Sequence, residues 1–143
     1  MSESNVHYFK LLEKKHEVEE DIFKKLGNLQ DFKKKRAEQQ KKKARDNRER
    51  EEQLLDKLDF EAKGLNDKAL KSEVNAKKKE ANIAEKEYKI RDFERRAIKV
   101  EEEIVQLEIE LKEVESDISE HQSGSSAQKK ESFPLEPTVL ENE

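Results

Sequence analysis

Stepping alternately by three and four residues from Leu55, the chain presents Leu55, Leu58, Ala62, Leu65, Ala69, Ser72, Ala76, Lys79, Ile83, Lys86, Ile90, Phe93, Ala97, Val100, Ile104, Leu107, Leu111, Val114, Ile118 and His121. All but Ser72, Lys79, Lys86 and His121 are apolar, and the phase never slips. A 3.5-residue repeat held this long predicts a coiled-coil helix that buries one narrow stripe against a partner. With Leu55 as position a, the stripe is a then d throughout. It is strongest from Ile90 to Ile118 and thinner from Ala62 to Lys86. Lys79 and Lys86 at d positions either lay their stems on the seam with the ammonium in water, or set register.

A second stripe, Phe60, Val74, Ala81, Tyr88 and Ile109 with Ile98 and Val105 beside it, runs along the opposite face. It is either scattered exposed apolar surface or the seat of a third or fourth helix. The N-terminal piece is also helical in pattern, with Tyr8, Leu11, Leu12, Val18, Ile22, Leu26 and Leu29 at three- and four-residue steps and Asn5 as N-cap. Its phase differs from that of the long repeat, and Gly27 sits near the mismatch, where a helix end or a stutter would fall. From Lys33 to Arg50 only Ala37 and Ala44 are apolar.

These patterns predict an all-α protein: a helix over about 5–26, a long coiled-coil helix over about 29–121, and a disordered C-terminal tail. The corresponding segments are 1–28, a basic helical stretch 29–54, the heptad coil 55–121, and the tail 122–143, with Gln122 to Ser126 ending the helix. An alternative is an antiparallel hairpin turning near Gly64, which would bring the apolar Tyr8–Phe32 piece against Ile90–Ile118. The phase passes through Gly64 unbroken, which favours one continuous helix.

Composition narrows the class. Charged residues make up 46% of the 143 and the hydrophobic set 31%, too little apolar material for a compact core. The absence of proline from Ser2 to His121 and the dominance of Lys, Glu, Leu, Ala and Arg favour helix over disorder. No apolar run approaches the roughly 18 residues that span a bilayer, so no transmembrane segment is expected and membrane association would be peripheral, through partners. The N-terminus lacks a signal-peptide pattern, and cysteine is absent, so a cytoplasmic or nuclear setting is the default.

Candidate chemistry is sparse. His7, His16 and His121 are far apart in sequence, with no thiolate beside them and no H-E-x-x-H spacing. No phosphate loop or nucleophile motif is present, so neither enzyme activity nor a cofactor or metal is expected. The basic stretch Lys33, Lys34, Lys35, Arg36, Lys41, Lys42, Lys43 and Arg45 is a candidate contact patch for an acidic protein surface, for nuclear import or for nucleic acid, or simply a solvated helix face. A net charge of −4 makes nucleic acid the weakest of these. In the tail, Phe133, Leu135, Val139 and Leu140, framed by prolines, resemble a linear docking motif.

The e and g positions flanking the strongest seam, Glu101, Glu103, Glu108, Glu110, Glu115 and Asp117, are all acidic. In a parallel homodimer Glu103 of one protomer would face Glu108 of its partner, and Glu110 would face Glu115, which opposes pairing. The seam should therefore meet basic flanks, on a different chain or in an antiparallel arrangement. The resulting expectation is a non-enzymatic coiled-coil subunit of a multi-protein helical assembly, a scaffold, tether or adaptor. It would pair heteromerically through Ile83, Ile90, Phe93, Val100, Ile104, Leu107, Leu111, Val114 and Ile118. The alternatives are a homodimeric rod that binds a filament or other acidic surface through 33–50, and a nuclear nucleic-acid accessory factor.

Overall fold

A computed structural model describes residues 3–127. Two α-helices account for the described chain, α1 (Glu3–Ala62) and α2 (Asn66–Ala127). The all-α class stands, in its hairpin form: the expected uninterrupted helix over 29–121 is broken between Ala62 and Asn66. Gly27 breaks nothing, because α1 runs through it. Asn5 lies inside the first turn of α1 rather than capping it, and α2 continues past Gln122–Ser126 to Ala127.

The turn follows from three residues. Gly64 adopts φ +75°, a left-handed conformation that costs an L-residue about 1–2 kcal/mol and glycine almost nothing. The Gly64 N–H donates to the Glu61 carbonyl at 3.1 Å and the Leu65 N–H to the Phe60 carbonyl at 2.8 Å. Together these bonds form a Schellman cap that satisfies the last carbonyls of α1. Leu65 then accepts the first bond of α2, from the Ala69 N–H at 3.0 Å, and Asp67 places a carboxylate in the first turn. Lys68 Nζ lies 5.9 Å from the centroid of the Phe60 ring.

The chain forms two compact units, residues 3–25 with 103–127, and residues 26–102. In the first, the two helical segments run antiparallel. Val18 of α1 is buried, as are Ile104, Val114 and Ile118 of α2, with Tyr8, Leu11, Ile22, Leu107 and Leu111 half-buried around them. Each such aliphatic side chain contributes about 1.5–3 kcal/mol when fully removed from water.

The second unit is an antiparallel hairpin. Its α2 face is the predicted stripe: Ala69, Ser72, Ala76, Ile83, Ile90, Ala97 and Val100 are all buried. The opposing α1 face starts with Leu29 and Phe32, whose ring centroid lies 6.4 Å from that of Phe93. It continues on three- and four-residue steps through Arg36, Gln39, Lys43, Asp46, Arg50, Gln53, Lys57 and Phe60, all buried or half-buried. The facing surface of α1 thus keeps a heptad period while its residues turn polar.

Candidate protein-interaction surfaces

The residues expected to form a partner seam are brought together by the chain itself. Ile83, Ile90 and Val100 are buried in the second unit, with Phe93 half-buried; Ile104, Val114 and Ile118 are buried in the first, with Leu107 and Leu111 half-buried. The surface that covers them is α1, so the seam is not an open face of this protein.

Antiparallel pairing also supplies the basic flanks that the acidic edges of α2 require. In the first unit Lys25 Nζ donates to Glu103 Oε1 at 3.2 Å, and Lys15 Nζ stands 3.9 Å from Glu115 Oε2. In the second, Arg36 reaches Glu94 at 3.7 Å, Lys43 reaches Glu87 at 3.2 Å and Lys57 reaches Glu73 at 3.1 Å. These pairs are partly solvated, so each contributes little to stability. Their effect is on orientation and register, since a parallel or slipped arrangement would bring carboxylates together.

The two seam lysines end on acidic residues of α1 instead of in water. Lys79 Nζ donates to Glu49 Oε1 at 2.6 Å, and Lys86 Nζ sits 3.4 Å from Asp46 Oδ2, with Asp46 only 4% exposed. The hydrogen bond from Lys79 holds the Glu49 carboxyl below its ordinary value. The Lys57–Glu73 hydrogen bond likewise raises the lysine and lowers the glutamate. Arg36 Nε, Gln39 Oε1, Asp46 Oδ2 and Arg50 Nε are buried without a hydrogen bond among the described residues. This stretch of α1 therefore buries polar atoms where an aliphatic residue would pack. Buried polar groups of this kind fix register at the expense of stability.

Of the basic stretch, Arg36 and Lys43 are consumed by these cross-helix pairs, and Lys35 bridges Asp31 within α1 at 3.0 Å. Lys33, Lys34, Lys41, Lys42 and Arg45 are exposed and make no ion pair among the described residues. Lys41, Lys42, Arg45 and Arg48, together with Glu38, line a depression at Ala44.

The second stripe proves to be solvent-facing on α2. In the second unit Val74, Ala81, Tyr88 and Ile98 are exposed, Tyr88 by 65%, and Leu70, which the sequence reading left out, is exposed beside them; in the first, Val105 and Ile109 are exposed. Phe60 is the exception, half-buried in the hairpin on the inward face of α1. Sequence reasoning also misplaced Leu55, Leu58 and Leu65. They share the phase of the α2 seam, yet they lie on the outside of α1 and in the turn, 66%, 61% and 41% exposed.

The histidines, remote in sequence, are partly reunited. The His7 and His121 ring centroids are 5.8 Å apart, and His121 stacks on Tyr8 at 5.4 Å. His16 stands 3.3 Å from Glu19 on its own helix. Among the described residues no group of three His, Cys, Asp or Glu side chains could hold a metal ion, and no helix is long and apolar enough to cross a membrane. Phe133, Leu135, Val139 and Leu140 lie outside the described residues. No family model, curated protein or solved structure matches the chain.

Proposed function

We propose that this protein is a non-enzymatic helical subunit of a larger helical assembly, a scaffold or adaptor, which contacts a different coiled-coil protein through the outward face of α2. The observation that carries the reading is the exposed stripe Leu70, Val74, Ala81 and Tyr88, repeating at four- and seven-residue intervals on the side of α2 turned away from α1. A two-helix pair closed on itself has no use for an apolar heptad on its outside, whereas a bundle does. The seam expected to recruit the partner is already occupied by α1, so recruitment moves to the outer face. Lys71 and Lys78, exposed along this stripe, favour a partner helix with acidic flanks.

The test is photo-crosslinking in cells from an unnatural residue at Tyr88, compared with one at buried Ile90. Efficient capture of one specific protein from position 88 and not from 90, abolished by Val74→Glu, supports the reading. Equal capture from both positions contradicts it.

A second reading rests on the unpaired basic residues Lys33, Lys34, Lys41, Lys42 and Arg45: a homodimer that binds an acidic filament surface, with nucleic acid as a weaker alternative. Such binding would weaken steeply between low and physiological salt, because exposed charge contacts are screened over about 8–10 Å.

A further inference from the structure

The outer face of α1 in the second unit divides into two halves of opposite charge. Its first half carries Lys41, Lys42, Arg45 and Arg48 around exposed Ala44, with Glu38 as the one acidic residue among them. Its second half carries Glu51, Glu52 and Asp56 around Leu55 and Leu58, which are 66% and 61% exposed. None of these charged side chains makes an ion pair among the described residues. The helix pair therefore leaves unused two large leucines, a small-residue depression and two complementary sets of charges, all on one face.

We propose that this face docks a second copy of the same chain, α1 against α1 in antiparallel orientation, about a two-fold axis near Glu49 and Arg50. That axis places Leu55 of each copy over the depression at Ala44 of the other. It also matches Arg48 with Glu51, Arg45 with Glu52 and Lys42 with Asp56, each pair occurring twice by symmetry. Such self-complementarity is the requirement for a closed two-fold interface.

Two like-charge encounters accompany this register. Glu49 approaches its own symmetry mate, but its carboxylate is already held by Lys79 at 2.6 Å. Glu38 faces Asp59, which Lys63 bridges at 3.0 Å. Three complementary pairs on each side of the axis outweigh these two partly neutralised contacts. Exposed pairs contribute only a few tenths of a kcal/mol each, so the charges select orientation and the four leucines supply affinity. A parallel arrangement would set the basic half on the basic half and is excluded by the same charges. The inference concerns α1 alone, so it stands or falls apart from the role proposed for the outer face of α2.

The test is solution molar mass of the full chain by sedimentation equilibrium. The wild type is expected to dimerise at micromolar concentration, and L55E/L58E to raise Kd at least about tenfold with unchanged helicity, since neither leucine packs in the hairpin. Two charge variants sharpen the outcome. R45E/R48E turns the Arg48–Glu51 and Arg45–Glu52 pairs of the homodimer into carboxylate pairs and E51R/E52R turns them into cation pairs, with Lys42–Asp56 alone staying complementary. Each alone is expected to be monomeric, and a one-to-one mixture is expected to form a heterodimer. A monomeric wild type, a dimer indifferent to L55E/L58E, or a mixture that fails to associate would each overturn the proposal.

Discussion

Replacing Gly27 and Gly64 one at a time tells a hairpin from a continuous helix, because the two substitutions should shift stability in opposite directions. Gly27 lies within α1, exposed, and a Cβ added there meets nothing within 4 Å. Gly27→Ala therefore changes backbone preference alone and should stabilise the fold by about 0.8–1.0 kcal/mol, the difference between glycine and alanine in a helix interior. Gly64 is just as open, with nothing within 4 Å of an added Cβ, but its φ is +75°. No clash contributes, so the left-handed conformation sets the effect at a loss of about 1 kcal/mol after the lower entropy of the unfolded alanine chain is allowed for. The assay is urea denaturation followed by circular dichroism. With a slope of about 1–3 kcal/mol per molar urea, the two midpoints should move roughly 0.3–1 M apart from wild type in opposite directions. Stabilisation by both substitutions would refute the turn. Destabilisation by Gly27→Ala would mean that α1 breaks there.

Other consequences follow from the seam. Lys86→Leu strands buried Asp46 without its cation and should cost about 3 kcal/mol or more, whereas Lys86→Leu with Asp46→Leu should restore or exceed wild-type stability; additivity in the urea midpoints would show that the two side chains do not face each other. Leu107→Glu or Leu111→Glu should lower helicity and melting temperature independently of protein concentration, because the seam they occupy is intramolecular; a concentration-dependent loss would assign it to a second chain. Glu49 and Glu73 have carboxyls below their ordinary value of 4.5 and Lys57 has an ammonium above its ordinary 10.5. Their contribution should be constant between those values, fall as pH drops through the depressed carboxyl values and fall again above 10.5. The difference in urea midpoint between wild type and Lys57→Met/Glu73→Gln should follow that profile, and a difference that does not shrink as pH falls from 4.5 would contradict it.

The legible part of the fold was the part with large apolar residues on a strict period. The α2 stripe from Ala69 to Ile118 is where the three–four alternation puts it, because aliphatic residues there do the burying. The acidic edge of that stripe also carried usable information. Its demand for basic, antiparallel flanks is met in part, by Lys15 at Glu115 and Lys25 at Glu103 of the same chain.

The α1 face was illegible beyond Phe32 because periodicity was sought in apolar residues. Arg36, Gln39, Lys43, Asp46, Arg50 and Gln53 hold the inward positions while Leu55 and Leu58 face outward. Those leucines happen to share the phase of α2, which carried the apparent repeat straight through the turn. The discriminating signal was local: Gly64 followed by Leu65, with Phe60 four residues before the glycine, provides the pieces of a Schellman cap. Gly27 lacks none of the glycine's conformational freedom, yet nothing in its surroundings calls on it.

Intrachain antiparallel pairing is the claim on which the rest depends. The native chain has no cysteine, so cysteine pairs at Lys15 and Glu115, and separately at Lys43 and Glu87, give clean probes of the two units. Each double variant would be treated with a short bismaleimide and analysed by mass spectrometry of a mixture of isotope-labelled and unlabelled chains. The structure predicts that both linkages form within single chains, giving crosslinked peptides that are wholly light or wholly heavy. Crosslinks joining light to heavy peptides would place the pairing between chains and contradict it.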